Sequence, residues 1–176
     1  MEIRSERLLL RPVTEDDLEA FHKLQSNYEV TKWTKQGPSK SLQHSEQMLD
    51  DLLVLVNMMA SYNHTAQPVI IHAITLPPSK TLIGLIGTFR PREIGFSLHP
   101  DFWGKGYATE AVRAFCRWYL GTYRGHVLFA KVDRGNERSV ACLRRCGFSP
   151  AREVELVGDE AYAKDRERET WLLRAS

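Results

Sequence analysis

Several things are missing from this chain, and each absence narrows what it does. No apolar run is long enough to cross a bilayer; the longest, Leu52 to Ala60, carries Asn57. Charge of one sign is missing too. The 24 basic and 22 acidic residues are mixed along the chain and leave a net charge of +2. That balance gives no footprint for nucleic acid or for an anionic membrane surface. Cysteine is scarce: Cys116, Cys142 and Cys146 are an odd set with no disulfide framework, expected to lie buried in helices. The six histidines are scattered singly, so no metal is expected. The first six residues are charged where a secretory leader would be greasy, and the expectation is a cytoplasmic protein.

What is present begins with Trp103-Gly104-Lys105-Gly106-Tyr107-Ala108-Thr109-Glu110-Ala111. This stretch joins a strand-like segment, Glu93 to Leu98, to an amphipathic helix running to Tyr119. Two glycines two apart let backbone N–H groups converge, and a helix N-terminus adds partial positive charge at the same point. Such a turn holds a phosphate or pyrophosphate without a metal. It is not a dinucleotide fingerprint, because Ala108 and Thr109 follow where a third glycine is needed. Nor is it a P-loop, since Lys105 is followed by Gly106.

Around the turn, periodicity predicts one mixed α/β domain spanning residues 1–176. A strand at Leu8–Arg11 is followed by Thr14 as N-cap with Asp17 at the third helical position. A second helix is expected from about Ser41 to Met59, its apolar side formed by Leu42, Met48, Leu49, Leu52, Leu53 and Val56. Strands follow over 69–76, 81–89 and 93–98. In the next helix Ala108, Ala111, Val112, Phe115 and Tyr119 form the buried stripe, and Gly121 is the expected stop. Val127–Val132 reads as a buried strand, Asn136 caps a helix to Cys146, and Gly147 ends it. Glu153–Val157 and Glu169–Arg174 read as closing strands around a charged loop, 158–168. The expected sheet is central and largely antiparallel, of about six to seven strands flanked by about four helices, with one strand–helix–strand crossover over 93–132.

That order of elements resembles the GNAT acyltransferases, and most closely the branch of ribosomal-protein N-terminal acetyltransferases. The resemblance runs from Ser5-Glu6-Arg7-Leu8-Leu9-Leu10-Arg11 through Glu93–Phe96 and the glycine turn to Asn136-Glu137-Arg138-Ser139 and Cys146-Gly147-Phe148. The wider family writes its turn Gln/Arg-x-x-Gly-x-Gly/Ala; here Trp103 takes the first place, which leaves binding by backbone amides intact. The resemblance implies acetyl-CoA as acetyl donor at splayed central strands, with no metal. Its pyrophosphate is expected on the amides of Gly104, Lys105, Gly106, Tyr107, Ala108 and Thr109. Its pantetheine arm is expected along Phe96, Ser97 and Leu98 as an added strand. Lys105 is either a phosphate contact or a solvated loop lysine.

Acetyl transfer to an amine requires a base, a stabilised carbonyl oxygen and a proton for the departing thiolate. Glu93 is the first candidate base, with Glu155, Asp159 and Glu160 as rivals. Asn136 is expected on the pantetheine amide, or simply as a helix cap, and Ser139 near the sulfur as ligand or proton donor. A backbone N–H near Leu98 is expected to polarise the carbonyl. The expected partner is an amine acceptor, either a peptide N-terminus or a small molecule, approached by a monomer or homodimer. Trp33, Tyr62 and His64 either shape its site or pack in the core. A CoA-binding regulatory module without catalysis is the alternative.

Overall fold

A computed structural model describes residues 1–61, 69–123, 127–151 and 168–174. One sheet contains eight strands: β1 (Ile3–Arg4), β2 (Leu9–Pro12), β3 (Ile70–Thr75), β4 (Leu82–Arg90), β5 (Glu93–Leu98), β6 (Val127–Asp133), β7 (Ser149–Pro150) and β8 (Arg168–Arg174). Five α-helices join them: α1 (Leu18–Gln25), α2 (Tyr28–Thr31), α3 (Leu42–Ser61), α4 (Tyr107–Thr122) and α5 (Glu137–Arg145). The spatial order is β1-β2-β3-β4-β5-β6-β8-β7, antiparallel throughout except where β5 lies parallel to β6.

Alternation assigns the sheet two buried faces. Leu10, Ile74, Ile86, Ile94 and Leu98 pack under α4, whose Ala111, Val112, Phe115 and Tyr119 are fully enclosed as the stripe requires. Ile71, Ala73 and Leu85 pack on the other face against Phe21 and Leu24 of α1 and Leu49 of α3. The acidic start at Thr14 is realised as a 3₁₀ turn, Glu15–Asp17, with Asp17 accepting the Thr14 N–H at 2.9 Å. Asp17 also receives the Arg11 guanidinium on both oxygens.

Three expectations need correction. Gly121 does not end α4, which continues to Thr122; Tyr123 N–H still reaches the Tyr119 carbonyl at 2.8 Å, so no left-handed residue is needed there. Leu42 is not on the packed side of α3 but stands 41% exposed in its first turn. The sheet contains more strands than expected because β1 and β7 are two-residue pairings. The predicted strand 153–157, with its neighbouring loop to residue 167, lies outside the described residues.

The feature that shapes the site is the junction of β5 and β6. β6 pairs with β8 at every residue from Val127 to Asp133, yet meets β5 at one register pair, Glu93 opposite Phe129. Beyond it the two strands part. Among the described residues, no helix is long and apolar enough to cross a membrane.

Candidate functional site

Beyond Glu93 the parted strands leave one edge of β5 without a partner strand among the described residues, and hydrogen-bond alternation identifies its groups. His99 N–H bonds to Ile83 O, so the narrow pairs to β4 recur at Ser97 and Gly95. The Ser97 carbonyl accordingly lies against Gly84, close enough that a Cβ there would collide with it. Phe96 and Leu98 therefore present their main-chain groups toward β6, as does Arg92, whose carbonyl accepts the Phe129 N–H at 2.8 Å. Of the three expected pantetheine contacts, Phe96 and Leu98 supply groups at the open edge, while the Ser97 backbone belongs to the β4 ladder.

The glycine turn follows directly. A 3₁₀ turn over Pro100–Phe102 closes with Trp103, whose indole Nε1–H donates to Leu98 O at 2.7 Å and ties the turn to the strand end. Gly104 and Gly106 take φ of +74° and +81°, conformations that a side chain disfavours, and Gly106 is the N-cap of α4 without any capping side chain. The first helical bond runs from Glu110 N–H to Gly106 O. From Gly104 to Thr109, six consecutive amides have no acceptor among the described residues. Gly104, Lys105 and Gly106 are exposed, and nothing lies within 4 Å of where a Gly104 Cβ would stand. An anion carrying several oxygens fits this set: many donors, room to approach, and the positive end of a four-turn helix.

Side chains of the turn are mostly engaged elsewhere. Lys105 Nζ turns back to donate to Asp101 O at 2.8 Å and lies over the Phe102 ring. Thr109 Oγ1 points to Cys142 Sγ at 3.6 Å, into the α4–α5 interface. Tyr107 lies beneath the Arg7 guanidinium, and Ala108 packs against the core. The cradle is thus made of main chain.

Asn136 and Ser139 stand across the cleft at the entrance of α5. Asn136 Oδ1 accepts Ser139 N–H at 3.2 Å as a helix cap, and its Nδ2 has no acceptor among the described residues. The Ser139 hydroxyl is likewise unpartnered there, and both residues are half-buried. Trp33, from the segment after α2, comes to the same corner: a Cβ on Gly135 would lie 3.6 Å from its ring. Tyr62, His64, Glu155, Asp159 and Glu160 fall outside the described residues.

Glu93 opens β5 at the point where the strands part, 17% exposed and 3.7 Å from Arg90 Nη1. Its neighbour Ile94 is buried under α4, so alternation directs Glu93 to the opposite face of the sheet. Burial pushes the Cys116 thiol well up, and contact with Cys142 together with burial does the same to Cys146. Hydrogen bonds from Cys146 and Thr109 lower the Cys142 thiol, which lies buried in the α4–α5 interface.

Three residues of the site escaped the sequence reading. Arg138 lays its guanidinium 4.7 Å from the centre of the Trp103 ring, bridging the two lips of the cleft. Arg7 and Glu110 meet beside the turn, with Nε to Oε2 at 2.8 Å and Nη2 to Oε2 at 2.7 Å. Burial opposes ionisation of Glu110, but bonds from the Arg7 amide, the Ser5 hydroxyl and the Arg7 guanidinium hold its carboxyl below the usual value. An acidic residue one helical turn from an anion cradle was the visible signal.

Comparison with known proteins agrees with this geometry. Residues 7–149 match the model of a family described as an acetyltransferase (GNAT) domain. The uncharacterized N-acetyltransferase YoaA of Bacillus subtilis is 27% identical over 152 residues, covering 83% of this chain and 81% of that protein. An acetyltransferase structure from Agrobacterium tumefaciens superposes with a TM-score of 0.77 at 23% identity, covering 99% and 95% of the two chains. A RimL ribosomal L7/L12 alpha-N-protein acetyltransferase, solved with coenzyme A, superposes at 0.73 with 18% identity, covering 99% and 97%.

Proposed function

Since the chain belongs to the GNAT acetyltransferase family, we propose that it is an acetyl-CoA-dependent N-acetyltransferase acting on a primary amine by direct attack in a ternary complex. The observation that carries this reading is the run of six amides, Gly104 to Thr109, without an acceptor among the described residues and continuous with the open edge of β5. When bound, acetyl-CoA supplies an acyl group activated as a thioester.

The residues divide the work along the cleft. The amides of the turn hold the pyrophosphate. Leu98 N–H and the Phe96 carbonyl pair with the pantetheine arm as a strand would, and Asn136 Nδ2–H holds it from the α5 side. Phe96 lies further from the turn than Leu98, so its N–H is placed to hold negative charge on the acyl oxygen. One such preorganised donor lowers the barrier by about 3 kcal/mol. Glu93, deeper still, takes the amine proton through water, and the Ser139 hydroxyl returns a proton to the departing sulfur. Orientation along this line supplies much of the rate.

For the acceptor we read a peptide N-terminus or a small-molecule amine, entering past Trp33 where the α2–α3 segment meets the β6–α5 turn. The RimL protein, which shares the fold, acts on a ribosomal-protein α-amine, and a peptide acceptor here fits that precedent.

Calorimetric titration tests the donor. Acetyl-CoA is expected to bind with a micromolar constant, about −8 kcal/mol, while ATP and NAD do not bind. Folded protein that binds no CoA ester refutes the reading. With an acceptor found by screening, Glu93→Gln is expected to lower kcat on the order of 100-fold and to flatten the rising limb of the pH–rate profile. An unchanged profile removes Glu93 as base.

A further inference from the structure

The glycine turn has a second layer that its own sequence does not contain. Ser5 Oγ–H, Arg7 N–H and Arg7 Nε–H all donate to the Glu110 carboxylate, at 2.7, 2.7 and 2.8 Å. The other end of the same guanidinium goes elsewhere: Arg7 Nη1–H donates to the Lys105 carbonyl at 3.1 Å. Arg7 is therefore a clamp with one jaw on the first turn of α4 and the other on the peptide between Lys105 and Gly106.

We infer that Arg7, held by Glu110, is the positioning residue of the pyrophosphate cradle; the inference rests on the reading of that turn given above. In a trans peptide the C=O and the following N–H point in opposite directions. Fixing the Lys105 carbonyl on the Arg7 side thus aims the Gly106 N–H away from it, toward the run of free amides. A glycine at φ +81° tolerates the flipped peptide nearly as well. The flipped form would put a carbonyl oxygen among the amides, where an anion is to sit. Arg7 selects the orientation with the donor inward.

The pair also settles an electrostatic conflict. Glu110 places a carboxylate within one turn of the N-terminus that attracts the pyrophosphate, and unpaired it would oppose the ligand. Arg7 neutralises it from outside the cradle. A plain strap between the N-terminal segment and α4 would need only the Glu110 contacts; the bond to Lys105 O ties Arg7 to the ligand-binding peptide. The guanidinium also rests 4.7 Å over the Tyr107 ring, which limits its freedom to swing away.

The test compares CoA with pantetheine, which has no pyrophosphate, on the full chain, by calorimetry and by the Gly106 amide resonance. Arg7→Met is expected to weaken CoA at least tenfold, to leave pantetheine within twofold, and to shrink the downfield movement of the Gly106 amide proton on CoA addition. Adding Glu110→Gln to Arg7→Met is expected to recover part of the CoA affinity, since the unpaired carboxylate is then gone. Equal weakening of both ligands, or CoA binding like the wild type, overturns the inference. Should Arg7→Met lose its cooperative melt, Arg7→Lys decides: it keeps the charge but loses the fork, so a CoA-selective loss supports positioning and no loss refutes it. Failure of the wild type to bind CoA instead sinks the donor reading beneath it.

Discussion

Asn136 performs two jobs with two ends of one amide, and Asn136→Asp separates them. The oxygen caps α5 by accepting Ser139 N–H; the nitrogen is the end assigned to the pantetheine. Aspartate caps as well as asparagine, and its charge at a helix N-terminus is favourable by about 0.3–1 kcal/mol. The variant should therefore melt at or slightly above the wild-type midpoint. It has no donor, however. Losing one hydrogen bond to the ligand costs about 0.5–1.5 kcal/mol, and a carboxylate facing the ligand's carbonyl adds repulsion, so acetyl-CoA should bind on the order of tenfold or more weakly. Asn136→Ala partitions the other way. Its cap is lost at about 1 kcal/mol, lowering the midpoint by about 2–4 °C, while the affinity loss stays smaller because nothing repels. Thermal melts followed by circular dichroism, with calorimetric titration of acetyl-CoA, read both quantities on each variant. Wild-type affinity in Asn136→Asp would show that the side chain is a cap alone.

Other outcomes follow from the same geometry. Gly104→Ala and Gly106→Ala each place a side chain at positive φ and should lose about 1–2 kcal/mol of stability in a denaturant titration. Gly106→Ala should lose more CoA affinity, because its Cβ would stand 3.4 Å from Arg7 Nη2 where Gly104 meets open space; equal affinities contradict this. His72 is buried between Phe115 and Trp118, and burial lowers its pKa from 6.5, so the fold favours the neutral ring. The unfolded chain then binds the extra proton, and stability present above pH 6.5 declines as pH falls below it. His72→Gln, which still offers a donor to Met1 O, should flatten the dependence of the melting midpoint on pH below 6.5, and an unchanged slope would place the titration elsewhere. Ser139→Ala should lower kcat by about 100-fold with little change in acetyl-CoA affinity; undiminished turnover leaves it no part in proton transfer.

Local signals carried most of the fold. The α4 stripe was readable because one face of a helix recurs at 3.6 residues: Ala111, Val112, Phe115 and Tyr119 are enclosed as predicted, whereas Ala108 at the exposed N-terminus is half-buried and Cys116 joins the enclosed set. Asn136 and Gly147 were readable as cap and terminator, and Gly147 does take φ +88°. Gly121 misled because a glycine permits a left-handed stop without requiring one. β1 and β7 are two-residue pairings whose existence depends on the partner strand, and nothing within them announces it. At the site, the turn was legible because its chemistry is contiguous. The choice between Ser97 and its neighbours was not, since it depends on the phase of the ladder to β4, which His99 sets. Least legible was the Arg7–Glu110 clamp, whose halves are 103 residues apart.

The single register pair at Glu93 and Phe129 makes the sheet a V, with β1 to β5 in one arm and β6 to β8 in the other. Each arm is internally laddered, so a change in one need not propagate across the joint. The arm ending at Leu98 offers mostly peptide groups, which almost any sequence can supply, while Asn136, Ser139 and the corner near Trp33 gather beside the other. On the proposed reading both arms face the donor, through the β5 edge on one side and Asn136 and Ser139 on the other, so drift in the choice of recipient can be confined to the corner near Trp33, outside either ladder.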